Sequence, residues 1–174
     1  MESNNVQSNT KRLVVIALLI AMEIVLTRVL SIQTPQIRLS LGFIPPAVLG
    51  MLFGPLYAGI AGAIADILGF TLFVTGPYFP GFTLTGFLTG ATYGLFLHRK
   101  TPPTGKFPLW RIIVAVFTVT VALQLALDTL WVSMMTGTSY VALLPWRGVR
   151  TVIMFPVQLI ALRFITGERF RSLI

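Results

Sequence analysis

Apolar runs recur along the whole chain, and the short polar intervals between them predict six helices. The runs are Leu13–Ser31, Phe43–Phe53, Leu56–Val74, Phe82–Leu97, Trp110–Met135 and Trp146–Ile165. About 20 apolar residues cross a bilayer, fewer where neighbouring helices shelter the ends. The second run is short, and Pro45-Pro46 suits only a first helical turn, so full crossing stays open there. The leader MESNNVQSNTKR is polar, and residues 1–11 are expected to be flexible. The first run carries Glu23 and no small-x-small cleavage site before polar sequence, so it reads as a retained span rather than a signal peptide.

Composition supports a membrane protein. Mean hydropathy is +0.86, and 10% of residues are charged against about 25% in soluble domains. The 174 residues form a single transmembrane domain. Cysteine is absent, which excludes disulfides and thiolate metal sites, and the lone His98 beside Arg99 and Lys100 reads as a solvated loop residue. No metal site and no cofactor are expected. Of the 13 Lys and Arg, Lys11, Arg12, Arg99, Lys100, Lys106, Arg111, Arg163, Arg169 and Arg171 fall on one side of a six-span threading. Arg28, Arg38, Arg147 and Arg150 fall on the other. Positive charge collects on the cytoplasmic side, which predicts both termini inside and explains the net charge of +8 without nucleic acid.

Apart from Arg111 and Arg163 at the inner ends of the last two runs, six charges interrupt the apolar runs, and these fall toward the outer side: Glu23, Arg28, Asp66, Asp128, Arg147 and Arg150. Each costs at least a few kcal/mol to insert, so ionisable groups inside spans ordinarily mark a ligand or ion site. Two readings compete. The charges can form internal ion pairs, Glu23 with Arg28 or Asp66 with Arg150, with Glu23 the strongest structural candidate. Alternatively, the arginines receive carboxylates and the aspartates accept from ligand N–H groups. The set as a whole favours the second. The inner half of the spans carries only the terminal Arg111 and Arg163 and no carboxylate, so no ion path is visible, and there is no HExxH, GxSxG or P-loop sequence. The chain is therefore read as a non-enzyme whose transport energy would come from a partner.

Small residues form two kinds of pattern. Gly86, Gly90 and Gly94 suit close packing inside the bundle, whereas Ala17 and Ala21 suit either an internal contact or a docking face. The outer segment TGPYFPG combines two prolines, two glycines and two aromatic residues, which fits a rigid turn that serves as a lid or as an interfacial anchor.

The stretches Arg38–Gly69 (RLSLGFIPPAVLGMLFGPLYAGIAGAIADILG), TGPYFPGFTLTGFLTGATYGLFL from Thr75, and LLPWRGVRTVIMFPVQ from Leu143 cover much of the chain. They resemble the folate-specific substrate-binding (S) component of energy-coupling factor (ECF) vitamin transporters. The resemblance implies an all-α bundle of six transmembrane helices, termini inside, with an outward-facing pocket, in a bacterial plasma membrane. It implies a high-affinity binder of folate or reduced folate. It also implies docking, through Ala17 and Ala21, on a membrane scaffold subunit carrying two cytoplasmic ATPases, on which the S component reorients. Asp66 or Asp128 would take the pterin N–H edge. Phe70, Tyr78, Phe79, Phe82 and Trp131 would supply stacking surface. Arg28, Arg38, Arg147 and Arg150 would take the glutamate carboxylates. The rival readings are an S component for another vitamin (pantothenate or a queuosine precursor), a membrane scaffold protein without transport, and a self-sufficient secondary transporter.

Overall fold

A computed structural model describes residues 2–33, 38–73, 77–98 and 107–167, with side chains omitted at 2–8, 32, 33 and 38. Helix α1 (Glu2–Ile24) runs on through a π-helical turn, Val25–Val29. Helices α2 (Ile44–Phe53), α3 (Pro55–Leu72) and α4 (Pro80–Leu97) follow. One long rod then joins α5 (Leu109–Phe117), a π-helical stretch (Thr118–Leu127) and α6 (Asp128–Thr136). Helix α7 (Tyr140–Ile165) closes the bundle. A two-residue antiparallel ladder, Ile32–Gln33 with Arg38–Leu39, is a small addition to an otherwise helical chain.

Three boundaries differ from the sequence reading. The polar leader is helical from Glu2, since α1 continues backward without a break. The segment Thr136–Pro145, expected as a connector, is mostly helix: α6 ends on Gly137, whose left-handed conformation (φ 67°) caps it. Helix α7 then starts at Tyr140, with Ala142 N–H donating to the Ser139 carbonyl. Pro145, expected to end that connector, is the sixth residue of α7, and Pro156 also lies inside it; each removes one backbone donor, a loss that long bundled helices absorb through their neighbours. The turn from α2 to α3 is the expected Gly54-Pro55, with Gly54 at φ 86° and proline opening α3.

Packing explains the glycines of α3 and α4. A Cβ on Gly62 would lie 2.5 Å from the Gly86 carbonyl oxygen, and one on Gly86 would lie 3.0 Å from that of Gly62. One on Gly90 would strike the Ala58 carbonyl, and one on Gly94 the Pro55 backbone. Hence α3 and α4 meet backbone to backbone, the geometry that small residues permit in membranes. Leu49, Ile112, Val116, Val119 and Leu162 fill the interior beside this seam. Large apolar side chains on α1, α3 and α7, such as Leu13, Leu72, Val152 and Phe164, remain exposed. Among the described residues, Pro55–Leu72, Leu109–Thr136 and Tyr140–Ile165 are each long and apolar enough to cross a membrane.

Candidate functional site

A cavity of about 290 Å3 opens inside the bundle, lined from α1 to α7. All six charges picked out by the hydropathy pattern line it. Helix α7 contributes Arg147, Arg150, Met154 and Gln158, a stripe at i, i+3, i+7 and i+11 on one face. At about 1.5 Å per residue that stripe descends about 16 Å, from two guanidiniums to a carboxamide. Helix α4 adds Phe82, Thr85, Gly86 and Thr89, and α3 adds Gly62, Ala65 and Asp66. Both π-helical segments take part: Thr27 and Arg28 lie in the first, Gln124 in the second, and Asp128 directly follows it. π-Helical insertions turn side chains away from the α-helical register and concentrate at functional sites.

The charges are not settled by one another. Arg28 Nη2 stands 3.5 Å from Asp66 Oδ1, and Asp66 Oδ2 accepts from the Thr83 hydroxyl at 2.8 Å. The internal-pair reading named Glu23 with Arg28 and Asp66 with Arg150, whereas this ion pair joins Arg28 to Asp66 on α3. Asp128 lies in the field of Arg147 and Arg150. Nevertheless, among the described residues, four buried polar atoms have no hydrogen-bond partner: Glu23 Oε2, Asp128 Oδ1, Arg147 Nη1 and Arg150 Nε. Leaving such atoms unpaired costs about 1–3 kcal/mol each, more where the group is charged. Four of them around one cavity are the signature of a site that waits for a polar ligand with both donors and acceptors.

The aromatic residues separate into two groups. Phe82 lines the cavity, whereas Phe70, Tyr78, Phe79 and Trp131 do not. They pack in pairs outside it: Phe70 against Tyr78 with ring centroids 5.1 Å apart, and Phe79 against Trp131 at 5.6 Å. Each pair is tied inward. The Tyr78 hydroxyl meets Thr83 Oγ1 at 2.8 Å, and Trp131 Nε1 donates to Thr85 Oγ1 at 3.0 Å. The Arg38 side chain lies outside the described residues, as do Thr75 and Gly76. Ala17 and Ala21 are exposed on α1, away from the cavity. Residues the sequence reading passed over also line it, among them Thr27, Ser40, Thr85, Thr89, Gln124 and Gln158. The two glutamines, each inside an apolar run, were the available signal. Among the described residues no group of three His, Cys, Asp or Glu is placed to hold a metal ion.

A bundle with an apolar exterior around one charged, unsatisfied cavity defines a membrane-embedded small-molecule binding subunit. Residues 7–158 match the family of the ECF-type riboflavin transporter, S component, and the chain belongs to the S-component family of ECF transporters. It is 45% identical over 150 residues to the folate transporter FolT of Clostridium novyi (strain NT), covering 86% of this chain and 84% of that one. The FolT of Leuconostoc mesenteroides subsp. mesenteroides is 32% identical over 157 residues, with coverage of 86% and 81%. Among solved structures, FolT bound with folic acid superposes with a TM-score of 0.82 at 39% identity, covering 92% of this chain and 94% of that one. The S component of another bacterial ECF transporter matches in fold, with a TM-score of 0.63 at 22% identity over 90% and 96% of the two chains.

Proposed function

We propose that this chain is the folate-binding subunit of an ECF-type importer. It takes folate or a reduced folate from outside and delivers it by reorienting on a membrane scaffold that carries two ATPases. The observation that carries the reading is the set of four unpartnered buried polar atoms around one cavity, in a chain 39% identical to a FolT bound with folic acid. Folate supplies what these atoms lack. Its amino-pyrimidine edge offers paired N–H donors to Glu23, Asp66 or Asp128, and its glutamate offers carboxylates to Arg147 and Arg150. Arg28 is positioned to hold Asp66, while the Phe70–Tyr78 and Phe79–Trp131 pairs form a lid over the rim. Riboflavin, the ligand in the family's description, has no carboxylate and would leave both guanidiniums without an anion. Pantothenate has one carboxylate and no ring for Phe82.

Six crossing helices with both termini in the cytoplasm fit the Lys and Arg distribution. In this arrangement the charged cavity faces outward and the exposed Ala17–Ala21 face of α1 meets the scaffold. The test is tryptophan fluorescence of the purified protein in detergent, titrated with folate, 5-formyltetrahydrofolate, riboflavin, pantothenate, thiamine and biotin. Trp131 is hydrogen-bonded to a cavity residue, so saturable quenching by folates alone is expected. Saturation by riboflavin instead overturns the folate assignment, and silence across the panel in folded protein overturns the binding-subunit reading.

A further inference from the structure

Below the charged wall, α4 and α7 share a polar contact between two side chains that are almost wholly buried. Tyr93 is 0% exposed and Gln158 is 1% exposed. The Tyr93 hydroxyl donates to Gln158 Oε1 at 3.0 Å. Gln158 lines the cavity, and Tyr93, one turn beyond Thr89, does not. A buried phenol must place its proton on an acceptor, and a carboxamide has oxygen on one side and NH2 on the other. With the oxygen committed to Tyr93, the NH2 is the group the amide can offer to a ligand. Among the described residues that nitrogen makes no hydrogen bond to a protein acceptor.

We infer that Tyr93 is a positioning residue that fixes the Gln158 amide as a hydrogen-bond donor at the cavity floor, and so selects ligands whose leading group carries an acceptor there. This inference rests on the folate reading above. Gly62, Ala65, Gly86 and Met154 also line the cavity, small or pliable residues that leave room for a flat ring. The guanidiniums stand two to three turns nearer the other end of α7. A folate molecule therefore enters with its pterin leading, and the 4-oxo oxygen of the pterin is the acceptor that the amide meets. An analogue with a 4-amino group presents hydrogen where oxygen is wanted. In the wild-type protein the amide cannot turn to suit it without stripping Tyr93 of its acceptor.

The discriminating measurement is the ratio of affinities for folate and its 4-amino analogue aminopterin, by fluorescence titration of the full chain in detergent. Tyr93→Phe keeps the ring and removes the proton that pins the amide. The folate preference is expected to fall by about tenfold, the worth of one hydrogen bond to a committed partner. Gln158→Glu keeps an acceptor for Tyr93 and turns an oxygen toward the cavity, so the ratio should fall further. A purely structural role for Tyr93 would weaken both ligands alike and leave the ratio unmoved; that result, in folded protein, overturns the inference. If Tyr93→Phe does not fold, Gln158→Glu decides, and a wild-type ratio in that variant overturns it equally. Wild-type protein that binds no folate removes both the functional reading and this inference, an outcome distinct from a folate binder whose ratio ignores both substitutions.

Discussion

Gly62→Ala and Gly148→Ala make the same chemical change in two α-helices and should move stability in opposite directions. Replacing glycine by alanine inside a helix is worth about 0.5–1 kcal/mol in favour of the helix, because alanine has less backbone freedom to lose. At Gly148 nothing lies within 4 Å of the added Cβ, so that gain is expected in full. At Gly62 the new methyl would sit 2.5 Å from the Gly86 carbonyl oxygen and 3.0 Å from its carbon. Ordinary contact begins near 3.4 Å, so the backbones must separate by nearly 1 Å, with no flexible side chain to give way. Overpacking of this kind costs about 1–3 kcal/mol, which outweighs the propensity gain and leaves Gly62→Ala destabilised by about 1–2 kcal/mol. One kcal/mol shifts Tm by about 2–4 °C for a chain of this size. Melting curves by circular dichroism in one detergent should show Gly62→Ala about 3–6 °C below wild type and Gly148→Ala about 2 °C above it. Equal melting temperatures for the two variants would refute the backbone-to-backbone seam. Gly62 and Gly86 also line the cavity, so folate affinity should fall in Gly62→Ala and hold in Gly148→Ala.

Arg150→Gln removes a buried cation whose Nε lacks a partner; folate affinity by calorimetry should drop at least tenfold while the ligand-free Tm stays level or rises. A drop in both together would assign Arg150 to packing instead. Asp66→Ala removes an acceptor shared by Arg28 and Thr83 and should weaken folate far more than Glu2→Ala, with equal affinities removing Asp66 from the site. Tyr78→Phe cuts the tie to Thr83 and should speed folate release by several-fold in stopped-flow quenching; an unchanged off-rate would mean that the rim does not gate the cavity. Ala17→Leu enlarges an exposed surface position and should abolish ATP-driven folate uptake in reconstituted vesicles while detergent binding stays intact. Normal uptake would detach α1 from the scaffold contact.

The charged residues were legible because each stands out against apolar neighbours, and the structure brings all six to one cavity. Their partners were less legible. Glu23 and Arg28 are near in sequence, but Arg28 lies in the π-helical turn, where spacing counted at 3.6 residues per turn no longer gives the facing direction. The aromatic set was found by composition, which carries no radial information; of these five only Phe82 lines the cavity, and the other four pair off outside it. Thr85 and Thr89 escaped because threonine inside a helix commonly bonds to its own backbone. Thr85 does so with the Gly81 carbonyl at 3.1 Å, yet still lines the cavity. Tyr140–Leu144 read as part of a connector that ran on through Pro145, whereas these five residues are helical and precede that proline in α7.

The glycine seam divides the cavity into a wall that can evolve and a wall that cannot. Gly62 and Gly86 are at once lining and hinge-free joint, so any side chain added there to suit a new ligand would first pry α3 from α4. Variation that retunes ligand choice is left to the lining side chains outside the seam, among them Glu23, Asp66, Thr85, Asp128, Arg150 and Gln158. On this architecture, a change of vitamin is a change of those side chains, made around a backbone joint that stays the same.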